Sequence, residues 1–391
     1  MVNKQITYCI PSKNNLRYLK NSIQSIQKNS SNEYDIVVYV DGDNDGTEKW
    51  LIENGIRYLK NETDSPMGIA YGYNRCIEAA TTPIVCMFHA DMYMGKGFDT
   101  AILKYLKPLS VVSGTRIEPP LHPAGLEKIV ENFGMYPEDF TETEFDNFVE
   151  RMQSVHQNKT TNGIFAPWAI YKEDITSIGM HDERFHSYHE DSDIFNRFIL
   201  NGYEIIQTWE GFVYHLTCRG GQFQDGIEQI TKDEAFHKMK TNAMRNYIRK
   251  WGEFVKNDPY QHPIIHPKYE IAFVVSNCSL PILKVLEPWC GRIYVGSDDI
   301  VNNYISSEQE NTFYDLTKRV VVESNNDPIS ENDIVVRFDA TQLTNESFKY
   351  IQQLAEIFEA NEIEEGNFQF DIFGVTINSV KTYHKQLIRY E

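Results

Sequence analysis

Four short groups in this chain have side chains able to do chemistry, and each is acidic or carries imidazole. The first, Asp41-Gly42-Asp43-Asn44-Asp45-Gly46-Thr47, follows an apolar run that ends at Val40. Such a turn has two readings. It is a solvated connection into a helix start, where acids are favoured, or Asp41 accepts a hydrogen bond from the N–H of a base such as uracil, thymine or guanine. The second group, His89-Ala90-Asp91, closes another apolar run. Side chains two apart on an extended segment share a face, so His89 and Asp91 are expected to face one pocket. There they could hold Mg2+ or Mn2+ against a diphosphate, imidazole suiting Mn2+ better. The plain alternative is strand capping. Glu190-Asp191-Ser192-Asp193 opens a helix and either caps it or supplies a general base for a hydroxyl proton. His215 ends a strand, as a structural imidazole or a ligand.

These groups need a scaffold, and the hydrophobic pattern supplies one. Residues 5–10 read as a strand stopped by Pro11, residues 16–28 as an amphipathic helix, and residues 35–40 as a buried strand. A helix follows around 48–54, then a strand at 56–59, a helix at 68–80, and a strand at 84–88 running into His89. Strands alternating with helices predict a mainly parallel, helix-covered sheet. Ligands of such sheets bind beyond the carboxyl ends of the strands, where both acidic turns fall. Residues 118–162 interrupt the rhythm and read as an acidic, helical insertion.

With 391 residues, two domains are expected. The division falls at the proline-rich stretch 257–268, a linker between an N-terminal domain (1–256) and a smaller α/β domain (269–391). The smaller domain shows no Gly-rich phosphate loop. A net charge of −19 excludes a nucleic-acid reader, which needs clustered cations. It also means that an anionic nucleotide needs local relief, most simply from a divalent cation. The six scattered cysteines (Cys9, Cys76, Cys86, Cys218, Cys278, Cys290) form no C-x-x-C pair, which suits a reducing compartment. No apolar run is long enough for a membrane span, and no signal-peptide pattern opens the chain. A soluble, cytoplasmic protein is expected.

Taken together, the ordered motifs resemble the large inverting glycosyltransferase family two, with its GT-A fold, over residues 5–255. ITYCIPSKN is similar to the family's first strand and its Pro-Ser/Thr turn beside the nucleotide base. VVYVDGDNDGT resembles the base-binding turn, one residue shorter. GIAYGYNRCIEAATTPIVCMFHADMYMGKGF resembles the Gly…Asn…Ala helix, the next strand and the D-x-D region. GMHDERFHSYHEDSDIFNRFILNGYEII and FVYH resemble the Gly-x-x-Asp-Glu, Glu-Asp and terminal His elements, and YIRKWG the closing helix.

The resemblance implies a metal-dependent transfer of sugar from a nucleoside diphosphate donor, UDP-sugar favoured, to a glycan or other hydroxyl acceptor. It places Pro11, Ser12, Asp41, Asp43, Asn74, Arg75, His89 and Ala90 around the donor nucleotide. Asp91 and His215 would hold Mn2+ or Mg2+, Asp191 would be the catalytic base, and Glu190 and Asp193 would shape the acceptor pocket or the entry to the helix. The 118–162 insertion would lie on the acceptor side, because variable loops carry specificity, and Trp168 just after it would either stack on a sugar ring or pack into the core. Two departures stand out: His89 replaces the first D-x-D acid, and the family's Arg before Asn74 is Tyr73, with Arg75 one step later. Two rivals are a catalytically inactive binding protein of the same fold and a sugar-phosphate nucleotidyltransferase. The latter usually carries a Gly-rich loop after the first strand, and PSKNNLR has no glycine.

Overall fold

The computed structural model describes residues 5–217, 234–324 and 329–387. Cys218 lies outside them, as do the first residues, 229–233, of the long amphipathic helix that the hydrophobic pattern predicts over 229–255. By internal contacts the described residues form two units: 5–217 and 234–236 with Asn257–Ile264, and His237–Lys256 with 265–324 and 329–387. The proline-rich stretch therefore divides, its first part packing with the first unit. There the Asp258 carboxylate accepts from Tyr260 N (2.8 Å) and His262 N (2.9 Å), which makes it a formed turn.

The first unit begins with β1 (Ile6–Ser12), α1 (Leu16–Asn29), β2 (Tyr34–Val40), α2 (Thr47–Glu53), β3 (Arg57–Lys60), α3 (Ile69–Ala79) and β4 (Ile84–Met87). These strands pair in parallel in the order β3-β2-β1-β4. Most apolar residues of β1, β2 and β4 are buried, as a helix-covered parallel sheet requires, while Tyr58 and Leu59 of the edge strand β3 are half-buried. β1 does not stop at Pro11: it continues to Ser12, aligned with Val40. A proline is tolerated near a strand end, where few ladder bonds remain to lose.

Next come β5 (Met92–Met94), α4 (Phe98–Tyr105), β6 (Ser110–Glu118), β7 (Lys128–Val130), α5 (Glu142–Val155) and β8 (Thr160–Thr161). The unit is completed by β9 (Trp168–Tyr171), α6 (Lys172–Ser177), α7 (Glu190–Leu200), β10 (Glu204–His215) and the start of α8 (Glu234–Trp251). β9 runs antiparallel between β4 and β6, and β10 lies parallel to β6 and antiparallel to β5. The expected insertion is α-helical only over α5, with a short 3-10 turn at Pro137–Asp139 before it. Glu118 closes β6, and β7 adds to the same sheet.

The second unit holds β11 (Ile271–Ser276), α9 (Leu280–Leu286), β12 (Arg292–Val295), α10 (Asp298–Glu308), β13 (Val320–Val322), β14 (Ile334–Asp339), β15 (Gly366–Phe370) and β16 (Phe373–Ile377). Its sheet runs β13-β12-β11-β14-β16-β15, with the first four strands parallel. Fold class is therefore mixed α/β in both units. No helix among the described residues is long and apolar enough to cross a membrane.

Candidate active site

The site is built where strands end. Beyond β4 the chain turns, with Met92 N donating to His89 O (3.3 Å), before β5 pairs with β10 and sets Met92 opposite His215. Leu216 N donates to Asp91 O (2.9 Å), which locks the two strand ends together. A turn rather than strand alternation thus brings His89 and Asp91 to one side. His89, Asp91 and His215 each present a ligand atom, all within 4.8 Å of one another. His215 Nε2 lies 3.5 Å from Asp91 Oδ1, and the His89 and His215 rings are 5.6 Å apart.

Glu118, which sequence reasoning missed, completes this group. Its Oε1 contacts His215 Nδ1 at 2.9 Å, across 97 residues of chain. Burial opposes charge on His215, yet Asp91 and Glu118 outweigh it and raise the imidazole to about 9. Burial also opposes charge on Glu118, but Arg116 and His215 hold its carboxyl well below the usual range. His89 behaves oppositely: burial, only partly offset by Asp91, lowers its imidazole to about 4 and keeps it neutral. Neutral imidazole is the ligating form.

Beside this group, the ends of β1 and β2 carry Ser12 and Asp41, joined by Asp41 N donating to Ser12 O (2.8 Å). Pro11 is half-buried and Ser12 buried, its Oγ without a hydrogen-bond partner. The Asp41 carboxylate accepts from Asn61 Nδ2 (3.0 Å), Met67 N (2.8 Å) and Gly68 N (2.9 Å). It organises the loop 61–68 from below. Asp43 is exposed, and Ala90 is buried.

The acids at 190 and 191 open α7 after two residues in the left-handed region, Tyr188 (φ 70°) and His189 (φ 68°). Each such residue costs on the order of 1–3 kcal/mol, strain that clusters at functional sites. Asp191 is half-buried, and its Oδ1 accepts from Ser192 N (2.6 Å). Glu190 Oε2 is buried without a partner. Burial first, and then the Asp191 charge, push the Glu190 carboxyl well above its ordinary value.

Four expected site residues are engaged elsewhere. The Asn74 amide donates to His181 O (2.9 Å) and Glu183 Oε1 (2.9 Å) and accepts from His181 N (3.0 Å), so it ties α3 to the segment before α7. Arg75 pairs with Glu78 and Glu183 and lies over the Tyr71 ring. Trp168 is 2% exposed, edge-on to Phe195 and Phe198, and belongs to the core. Asp193 is fully buried in an ion pair with Arg197 (2.9 Å), which fastens α7 to Ile178 O and Met180 O. Helical spacing of four explains that pair better than an acceptor pocket does.

Metal-capable groups at the ends of a helix-covered sheet are joined by a match of residues 7–139 to Glycosyl transferase family 2. That stretch is a family 2 glycosyl transferase domain. The family 2 match ends inside the first unit and takes in Asp41, His89, Asp91 and Glu118, while Asp191 and His215 lie beyond it. No curated protein matches the chain. Among solved structures, GalNAc-T7 crystallised with UDP, GalNAc and Mn2+ aligns at 11% identity and a TM-score of 0.43, covering 63% of this chain and 48% of that one. S. aureus TarS 1-349 aligns at 13% identity and a TM-score of 0.40, covering 63% of this chain and 74% of that one. The chain thus spans about half the length of the first of these.

Proposed function

We propose that this protein is an inverting glycosyltransferase, moving a sugar from a nucleoside diphosphate donor, with UDP-sugar favoured, to an acceptor hydroxyl. The observation that carries the reading is the convergence of His89, Asp91 and His215 at the strand ends of a family 2 domain. Two imidazoles and a carboxylate form a mixed nitrogen and oxygen set that fits Mn2+ better than Mg2+. A bound cation would supply Lewis-acid charge where the diphosphate leaves.

The chain's own groups do the rest. Asp191 takes the proton from the acceptor hydroxyl as its oxygen bonds to the anomeric carbon. The nucleoside diphosphate departs from the opposite face, so the configuration inverts. Glu190, whose carboxyl burial pushes up, stands beside it. Asp41 holds loop 61–68 next to Ser12 and the base.

A panel of nucleotide sugars, scored by thermal shift with and without Mn2+, tests the donor; a ligand at a hundredfold excess over Kd stabilises by ~2.7 kcal/mol. Asp191→Asn is expected to lower turnover ~10²–10⁴-fold while donor binding persists. Asp91→Ala is expected to remove metal-dependent donor binding. Equal loss of donor binding in both variants would contradict these roles.

A further inference from the structure

Glu118 is a buried acid, 2% exposed, on which three donors converge. Arg116 Nη1 reaches Oε1 at 2.9 Å, Lys128 Nζ reaches Oε2 at 2.7 Å, and His215 Nδ1 stands 2.9 Å from Oε1. An ionised carboxylate only accepts, so this contact requires the hydrogen of the imidazole to sit on Nδ1. Nε2 is thereby the ring nitrogen turned toward Asp91, 3.5 Å away.

Resting on the reading of His89, Asp91 and His215 as a cation-holding group, the geometry points to Glu118 as a positioning residue. It fixes the orientation and tautomer of His215, so that Nε2 is presented to a divalent cation. A carboxylate behind a ligating histidine is a recurrent device of metal sites, and its loss typically costs 10–100-fold in metal affinity.

The surroundings explain why Glu118 cannot turn away. Arg116 and Lys128 are aligned across the parallel β6–β7 pair, so the backbone ladder places both cations. Arg116 is held in turn by Glu127 (3.4 Å) and by the Phe165 ring, 3.7 Å from its guanidinium carbon. A buried charge cluster is weak evidence for stability, because apolar side chains of similar size often serve as well. A task at His215 accounts for it.

The test is Mn2+ binding to the full chain without donor, followed by the electron paramagnetic resonance signal of free Mn2+. Affinity is expected to fall in the order wild type, Glu118→Gln, Glu118→Leu. The glutamine retains an acceptor oxygen for Nδ1, and leucine retains none and loses about 10–100-fold. Melting temperatures in EDTA are recorded in parallel. A merely structural glutamate would lower those temperatures and leave the Mn2+ affinity of the folded protein unchanged, and that result overturns the role. If neither variant folds, nitrogen-15 resonances of His215 in the wild type with Mg2+ decide. A hydrogen on Nδ1 supports the role, and a hydrogen on Nε2 alone overturns it. A wild type that binds no Mn2+ instead removes the cation reading itself, a different outcome from equal binding by wild type and variants.

Discussion

At the scale of single residues, His181 shows how burial sets a pH dependence. It is 2% exposed, stacks on Tyr73 at 5.2 Å, and its Nδ1 has no hydrogen-bond partner. Burial, and secondarily the Arg197 charge, lower the imidazole to about 3. The unfolded chain takes up a proton near the ordinary value of about 6.5, whereas the folded chain resists until about 3. Stability from this residue is therefore present above pH 6.5 and falls as pH drops toward 3, by up to ~1.4 kcal/mol per unit. His181→Phe keeps the stack and cannot protonate. Urea midpoints at pH 7, 6 and 5 should decline less steeply in this variant. An identical slope would place the acid sensitivity elsewhere. Residue type alone singled out His89, Asp91 and His215, since imidazole and carboxylate at apolar strand ends are conspicuous. Glu118 could not be found this way, because its partner is 97 residues distant and the stretch it opens reads as an acidic, helical insertion.

Elements matter through their close approaches, and the start of α3 is the closest. Gly68 has φ +91°, and a Cβ there would lie 2.1 Å from His186 O. Ile69 N donates to that same oxygen (2.7 Å), while the Asp41 carboxylate accepts from Gly68 N. One glycine thus lets the loop 61–68, α3 and the strained approach to Glu190 share a corner. Gly46 has a similar φ of +82° with nothing within 4 Å. Gly46→Ala should cost only the backbone term, about 1–2 kcal/mol. Gly68, with ψ 171°, lies in a region essentially reserved for glycine, so Gly68→Ala strains the backbone more and must also move the segment leading to Asp191, and turnover should fall much further than in Gly46→Ala. Urea unfolding and turnover, measured on both variants, check the contrast. Comparable turnover would mean that the 186–191 segment yields without consequence.

For the whole molecule, each unit has its own core, and the second depends on a buried ion cluster. Glu287 is fully buried against Arg249 (2.7 Å) and Arg319 (2.6 Å), with the Tyr304 hydroxyl at 2.9 Å. Burial would raise its carboxyl, but Arg319 and Arg249 outweigh that and hold it at about 2. The cluster fastens the C-terminal half of α8 to α10 and to the turn after α9. Removing one partner from such a group leaves uncompensated charge and typically costs ~3–5 kcal/mol. Glu287→Gln should lower the urea midpoint of this unit, followed through the emission of Trp251 and Trp289, which lie in it. A midpoint unchanged from wild type would show that the arginines find other partners.

By itself the sequence determined the alternation of strands and helices, the α/β class of both halves and the residue types at the strand ends, because periodicity and turn chemistry are local. The family resemblance it carried is borne out over residues 7–139. Tertiary structure decided which candidates share a site. Trp168 and Asp193 went to the core, and Asn74 was spent on His181. Glu118 entered from the end of β6, where β10 sets His215 beside it. The reason is that a side chain's partners depend on strand order and on the paths of turns, and those follow from packing the entire sheet.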